Sequence, residues 1–157
     1  MTTSVKFSLD TSGVLDAWVR HYPPDIFKTL WSQIDTSARN GDLFVIEEVV
    51  KELERKDDGI HDWIKQREQM IVPIDTDIQT CLVQIMSNYS RLVDSKKNRS
   101  VGDPWVIALA MARGLTVVTG ERGSGTLAKP KIPDVCQDVG VPCIGMVDLF
   151  RTQGWSW

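Results

Sequence analysis

The segment from Trp105 to Thr119 constrains the fold of this chain more than any other. Residues Trp105 to Ala112 (WVIALAMA) are apolar around the whole circumference of a helix, which indicates a helix buried between other elements. Gly114 ends that helix, and Leu115 to Thr119 (LTVVT) form an unbroken apolar run of the kind found in strands inside parallel sheets. A buried helix that leads into a buried strand predicts an α/β fold.

Strands and helices alternate along the rest of the chain. Short apolar runs at Val5 to Leu9, Leu43 to Ile46 and Val141 to Met146 predict further strands, and a long helix is expected near Thr76 to Val93. This alternation predicts right-handed crossovers and a three-layer α/β/α sandwich with a central, mainly parallel sheet. Because no repeat or linker interrupts the pattern, residues 1–157 are expected to form a single domain.

The composition narrows the classes of protein to consider. Apolar residues make up 42% of the chain and charged residues 25%, which is typical of a globular domain. The net charge of −3 argues against a general polyanion binder, although acids gathered in one metal site would leave the remaining surface less acidic. We expect no membrane span and no secretory signal. Three cysteines in no metal-ligand spacing, interpreted as buried reduced thiols, complete the expectation of a cytoplasmic protein.

Four carboxylates occupy places where the chain passes between strand and helix. Asp10 directly follows the first predicted strand, and Glu121 follows the LTVVT strand after one glycine. Asp103 opens the helix that leads into that same strand. Glu52 lies about 7.5 Å into its own predicted helix, but helical side chains lean toward the N-terminus, so its carboxylate can reach back. All four are therefore expected at the carboxyl edge of one sheet, where ligands bind in α/β folds.

Each acid also has a simpler explanation when it is considered alone. Asp103 before Pro104 fits a helix N-cap, Glu52 fits a solvated helix residue, Asp10 fits a turn, and Glu121 fits an exposed loop. Caps alone do not select Glu at two of four places, and clustered acids repel one another unless a cation lies among them. The set therefore predicts a divalent cation site. Asp134, which opens the next predicted helix, is an additional candidate.

The segment from Gly120 to Lys131 (GERGSGTLAKPK) is rich in glycine and basic residues. It lacks the Lys followed by Ser or Thr that a phosphate-binding P-loop requires. Two interpretations remain open. The segment is either a flexible surface connection or a place where Arg122, Lys129 and Lys131 direct a phosphate backbone toward the acidic edge.

The four acids stand in motifs that resemble those of the PIN domain family. The motifs are LDTSG at 9–13, VVKEL at 49–53, DPWVIALA at 103–110 and VVTGE at 117–121. The resemblance covers the chain in order and implies one α/β/α PIN-like domain over residues 1–157. Many members of the PIN family are VapC-like toxins. The fourth acid is commonly Asp in that family, so Glu121 and the segment after it resemble a divergent branch.

This resemblance implies a metal-dependent endoribonuclease, as the toxin of a toxin-antitoxin pair. Asp10 and Asp103 would hold Mg²⁺ or Mn²⁺, with Glu52 and Glu121 acting directly or through water, and the cation would activate water for attack on the RNA phosphodiester. The hydroxyl groups of Thr11, Ser12 or Thr119 would orient acids or phosphate oxygens. The expected partners are RNA, a cognate antitoxin protein and a second copy of the chain in a homodimer.

Two other functions fit the same sequence. The first is a catalytically weak PIN-like module that mainly binds protein, which would explain Glu in the fourth acidic position. The second is a structure-specific DNA nuclease, which the short chain makes less favourable.

Overall fold

A computed structural model of the chain describes residues 5–56, 59–92 and 102–156. These residues form one five-stranded, all-parallel sheet with the strand order β3-β2-β1-β4-β5. Helices flank the sheet, which confirms the predicted three-layer α/β architecture. The strands are β1 (Phe7–Leu9), β2 (Leu43–Ile46), β3 (Ile71–Val72), β4 (Thr116–Val118) and β5 (Cys143–Ile144).

Eight α-helices alternate with these strands in the described ranges. They are α1 (Thr11–Asp16), α2 (Lys28–Arg39), α3 (Glu47–Lys56), α4 (Ile60–Lys65), α5 (Thr76–Asn88), α6 (Asp103–Arg113), α7 (Ile132–Val139) and α8 (Met146–Gln153). A π-helix at Ala17–His21 continues α1, and 3₁₀ turns lie at Glu68–Met70 and Ser90–Leu92. Helix α5 is shorter than predicted, and Val93, its expected end, lies outside the described residues.

Side chains of β1 show how both faces of the sheet are covered. Successive residues of a strand point to opposite faces, and Phe7, Ser8 and Leu9 are all buried. The Ser8 hydroxyl donates a hydrogen bond of 3.0 Å to the carbonyl of Val106, which places α6 on its face of the sheet. Leu9 on the opposite face lies among side chains of α1, α2, α4 and α8. The strand is therefore the middle of three layers.

Helix α6 is the buried helix that its composition predicts. Five consecutive residues, Val106 to Ala110, have at most 1% of their surface exposed. The helix contacts β1, β2 and β4 on one side and α5 on the other. It ends at Gly114, whose φ of 68° is the left-handed conformation that favours glycine after a helix.

The strand order creates a switch point between β1 and β4. From β1 the chain moves outward to β2 and β3, whereas from β4 it moves in the opposite direction to β5. Leu9 and Val118 are paired, so the two strands end at the same level. In parallel α/β sheets the crevice at such a reversal, beyond the carboxyl ends of the strands, is where ligands bind. The next residues of the chain, Asp10 and Thr119, stand at this crevice.

The described cysteines are free thiols, of which Cys136 is buried while Cys81 and Cys143 are half-buried. Among the helices of the described ranges, none combines the length and the apolar character needed to cross a membrane.

Candidate active site

Asp10 lies directly after β1 and is almost fully buried, with 1% of its surface exposed. Its Oδ2 atom accepts hydrogen bonds from the hydroxyls of Ser12 (2.6 Å) and Thr119 (2.7 Å). Those hydroxyls in turn accept backbone N–H bonds, Ser12 from Gly120 and Thr119 from Glu121, both at 3.1 Å. This network joins the end of β1 to the end of β4 and fixes the orientation of the Asp10 carboxylate.

The environment of Asp10 disfavours its negative charge. Burial is the main reason why the pKa of this carboxyl rises from 3.8 to about 6, because desolvation opposes ionisation. Hydrogen bonds from Ser12 and Thr119 act against the rise, whereas the negative charges of Glu121 and Glu52 add to it. Asp10 is therefore repelled by the carboxylates of Glu52 and Glu121, two other members of the predicted set.

Glu52 lies in α3 and bridges two neighbouring segments of the same edge. Its Oε2 atom accepts a hydrogen bond of 2.9 Å from the hydroxyl of Thr11, the residue after Asp10. Its Oε1 atom accepts the backbone N–H of Gly102, the residue before Asp103. The long side chain thus reaches back toward the edge, as the direction of helical side chains allows.

Asp103 is the first residue of α6 and is buried, with 6% of its surface exposed. The N-cap residue of the helix is Gly102, so Asp103 stands one residue inside the N-cap position that its sequence context suggested. Pro104 follows in the first turn, where its missing N–H removes no helical hydrogen bond. The helix runs antiparallel to the strands, so its first turn lies at their carboxyl ends.

Glu121 is the third residue after β4 and is half-buried. Its Oε2 atom accepts the backbone N–H of Ile132, the first residue of α7, at 3.2 Å. The side chain therefore connects the end of β4 to the start of α7. Its charge still reaches Asp10, as the pKa of Asp10 shows.

All four acids thus lie on segments that meet at one edge of the sheet, as predicted. In the described ranges, no Lys or Arg forms an ion pair with Asp10, Glu52 or Glu121. Among the same described residues, no three His, Cys, Asp or Glu side chains stand in an arrangement ready to hold a metal ion. Glu52 and Glu121 direct their carboxylates to backbone N–H groups instead.

Asp134, the additional candidate ligand, serves the loop before α7. Its carboxylate accepts the backbone N–H groups of Ser124, Gly125 and Lys131 at 2.8 to 3.0 Å, as well as the hydroxyl of Ser124. Desolvation opposes ionisation of Asp134, but these donors outweigh it and lower its pKa from 3.8 to about 2. Since the donors of the loop occupy both carboxylate oxygens, we assign Asp134 to the fold and leave it out of the metal site.

The three predicted phosphate contacts are exposed, and one of them lies beside the acids. Arg122 lines a groove of about 320 Å³ together with Thr119 and Glu121. Lys129 and Lys131 are exposed on the segment that leads into α7. The sequence interpretation overlooked Arg151 of α8, which also lines the groove and forms an ion pair with Asp148. Arg151 lies in the last turn of the helix after β5, so its position in the sequence gave no signal that it would line this groove.

Together, the parallel sheet and its acids define an α/β protein with four acids on the segments that surround the switch point. The model of a family described as a domain of unknown function (DUF4411) matches residues 7–157. The chain belongs to that family. The match begins at the first residue of β1 and includes all four acids. No curated protein gives a match to the chain.

Proposed function

We propose that this protein is a divalent-cation-dependent endoribonuclease of the PIN-like type. The observation that carries the proposal is the state of Asp10. Its carboxylate is buried at the switch point and is repelled by Glu52 and Glu121, and in the described ranges none of these three acids has an ion-pair partner. A cation at this edge would offset the unfavourable charge that the fold concentrates there.

The donor set suits Mg²⁺ or Mn²⁺. Carboxylate oxygens are the ligands that these cations prefer, and Mg²⁺ keeps several waters, so not every acid must contact it directly. Asp10 and Asp103 would hold the cation, and Glu121 would contribute directly or through water. Both oxygens of Glu52 accept hydrogen bonds from neighbouring segments of the same edge. When bound, the cation would supply an activated water and charge stabilisation for phosphodiester hydrolysis.

Other side chains of the chain would prepare the site for RNA. Ser12 and Thr119 keep the Asp10 carboxylate in one orientation through their hydrogen bonds. Arg122 in the adjacent groove, with Lys129 and Lys131 farther along the segment, would contact phosphates and offset the negative charge of the backbone.

Three narrower parts of the proposal draw on the PIN resemblance alone, and they are a toxin role, a cognate antitoxin partner and a homodimer. A cytoplasmic location is proposed from the sequence features that predict no secretory signal and no membrane span.

A second candidate function is a catalytically weak module that binds another protein. It is favoured by one observation, which is that Glu52 and Glu121 are engaged with backbone N–H groups and do not point into a shared ligand cage. The two functions differ in cation binding, because only the nuclease requires it.

Cleavage of single-stranded RNA by Asp10→Asn and Asp103→Asn variants tests the nuclease proposal. Each change keeps the shape of the side chain and removes its charge, so we expect a loss of rate of at least about 100-fold, or about 2.7 kcal/mol of transition-state stabilisation. Circular dichroism and melting should show that both variants stay folded. Excess EDTA should abolish cleavage by the wild-type protein.

Asp62→Asn is the matched control, because this carboxylate is exposed on α4 and its side chain is 85% accessible. Its cleavage rate should equal that of the wild type. Cleavage that persists in EDTA, or in either folded site variant, would contradict the proposal. A branched DNA substrate, assayed in parallel, distinguishes a ribonuclease from a structure-specific DNA nuclease. Preferential cleavage of the branched DNA would favour the DNA nuclease.

A further inference from the structure

Glu52 occupies a special place between the two buried aspartates of the candidate site. One of its carboxylate oxygens bonds to Thr11, directly after Asp10, and the other bonds to Gly102, directly before Asp103. Both oxygens of a single side chain thus tie down the two segments that carry the aspartates.

The contact with Gly102 depends on the absence of a side chain at that position. A Cβ atom added to Gly102 would overlap with the carboxylate of Glu52, at the far end of a flexible side chain, and would make only an ordinary contact with Val49. The backbone of Gly102 has φ −78° and ψ −20°, a conformation that any residue adopts. A larger residue at position 102 would therefore displace the Glu52 carboxylate from its present contact, and it would cause no backbone strain.

The first turn of α6 gains an acceptor from this arrangement. The first backbone N–H groups of a helix lack partners inside the helix, and a carboxylate beside them satisfies a donor and complements the helix dipole. Glu52 accepts the N–H of Gly102, the N-cap residue of α6. The same contact joins α3 to α6 and, with the Thr11 bond, links the segment of Asp103 to the segment of Asp10.

From these contacts we propose that Glu52 is a positioning residue, which holds Asp10 and Asp103 in register through its two hydrogen bonds and does not bind the cation itself. This inference rests on the proposed function. It makes the geometry of the Glu52 side chain essential and its negative charge dispensable, which is the reverse of what a ligand requires.

Two variants of Glu52 separate geometry from charge. Glu52→Gln keeps the length and an oxygen acceptor for the Gly102 N–H, and its amide can still contact the Thr11 hydroxyl. Glu52→Asp keeps the charge, but it lacks one methylene and does not reach both partners. We expect Glu52→Gln to bind Mn²⁺ within about threefold of the wild type, and Glu52→Asp to lose about 10- to 100-fold in affinity, the range typical of supporting contacts.

The measurements are Mn²⁺ affinity by titration calorimetry, kcat and KM for RNA cleavage, and hydrogen exchange of the Gly102 amide. Glu52→Gln should retain kcat and slow exchange, whereas Glu52→Asp should lose both, with KM affected less than kcat. A merely structural residue would change melting without changing Mn²⁺ affinity per folded molecule.

Three results would overturn the inference. Loss of Mn²⁺ affinity in Glu52→Gln while Glu52→Asp retains it would make Glu52 a ligand. Wild-type affinity and kcat in both variants would remove any role for the side chain. If the wild-type protein bound no Mn²⁺, both the proposed function and this inference would be overturned. The titration of the wild type is made first, so this outcome is distinguished from a failure of the inference alone.

Discussion

Asp134 illustrates how a single carboxylate organises a long connection. Between β4 and α7 the chain has no regular secondary structure, and this one side chain collects three backbone N–H groups from it. Charged acceptors form stronger hydrogen bonds than neutral ones, so the loop is held mainly while Asp134 is ionised. The same loop carries the exposed Lys129 and leads to the N–H group that binds Glu121.

Replacement of Asp134 by Asn should destabilise the protein in a pH-dependent way. The folded-state pKa of about 2 lies below the ordinary value of 3.8, so the stabilisation is complete above about pH 5 and is lost as the pH falls toward 2. Because the site is partly solvated, we expect a difference of about 1 kcal/mol in the free energy of unfolding at pH 6. Urea titrations at pH 6 and pH 3 measure it.

Ser124→Ala is the comparison for that variant, since it removes one hydroxyl donor to Asp134 and leaves the backbone donors in place. Its effect should be smaller than that of Asp134→Asn at pH 6. The free energies of unfolding of the wild type and Asp134→Asn should differ less at pH 3 than at pH 6. An equal or larger difference at pH 3 would contradict the role of ionised Asp134 in holding the loop.

At the scale of residues, the sequence predicts positions better than roles. Asp10 and Glu121 follow strands, and Asp103 opens a helix, so topology alone placed them at the carboxyl edge. The role of Asp134 depends on the conformation of a loop, and that of Glu52 on a contact with Gly102, 50 residues away. Long-range contacts of this kind leave no periodic signal in a sequence.

Helix α6 is the element on which both the core and the site depend. It contacts three of the five strands, and its first residue is Asp103. The buried face of such a helix contributes stability in proportion to the apolar area that it removes from water. Packing of α6 therefore stabilises the fold and also holds Asp103, a predicted cation ligand, in position.

Two Val→Ala substitutions compare α6 with its neighbour α5. Val106 of α6 is fully buried, whereas Val83 of α5 is 63% exposed. Val106→Ala should lower the free energy of unfolding by about 2 kcal/mol, because it removes buried methyl groups and leaves a cavity. Val83→Ala should change it by less than about 0.5 kcal/mol, since alanine also has the higher helix propensity. Equilibrium unfolding in urea measures both, and equal effects would contradict the predicted burial.

Elements that are too short to carry a periodic pattern could not be predicted from the sequence. Strand β3 has two residues, Ile71–Val72, next to Pro73, and only its pairing with β2 makes it a strand. The π-helix after α1 is likewise a change of hydrogen bonding within an apolar-periodic stretch. Helix α6 and strand β2, which have clear patterns, lie where the sequence predicts them.

For the whole molecule, the strand order decides where function can be located. Parallel strands bring every carboxyl end to one edge, and the reversal between β1 and β4 opens a crevice there. The fold places Asp10, Glu52, Asp103 and Glu121 around this crevice although they are spread over more than 100 residues of sequence. Negative charges that lie around one crevice favour a bound cation, and the proposed function depends on that cation.

Uptake of Mn²⁺, followed by the loss of the free-ion signal in electron paramagnetic resonance, tests cation binding most directly. The wild-type protein and Asp62→Asn should bind Mn²⁺ saturably. Saturation at 100 times the dissociation constant should stabilise the wild type by about 2.7 kcal/mol. Asp10→Asn and Asp103→Asn should lose both the uptake and the stabilisation. No saturable uptake by the wild type, or equal uptake by Asp103→Asn, would contradict a shared cation at this edge.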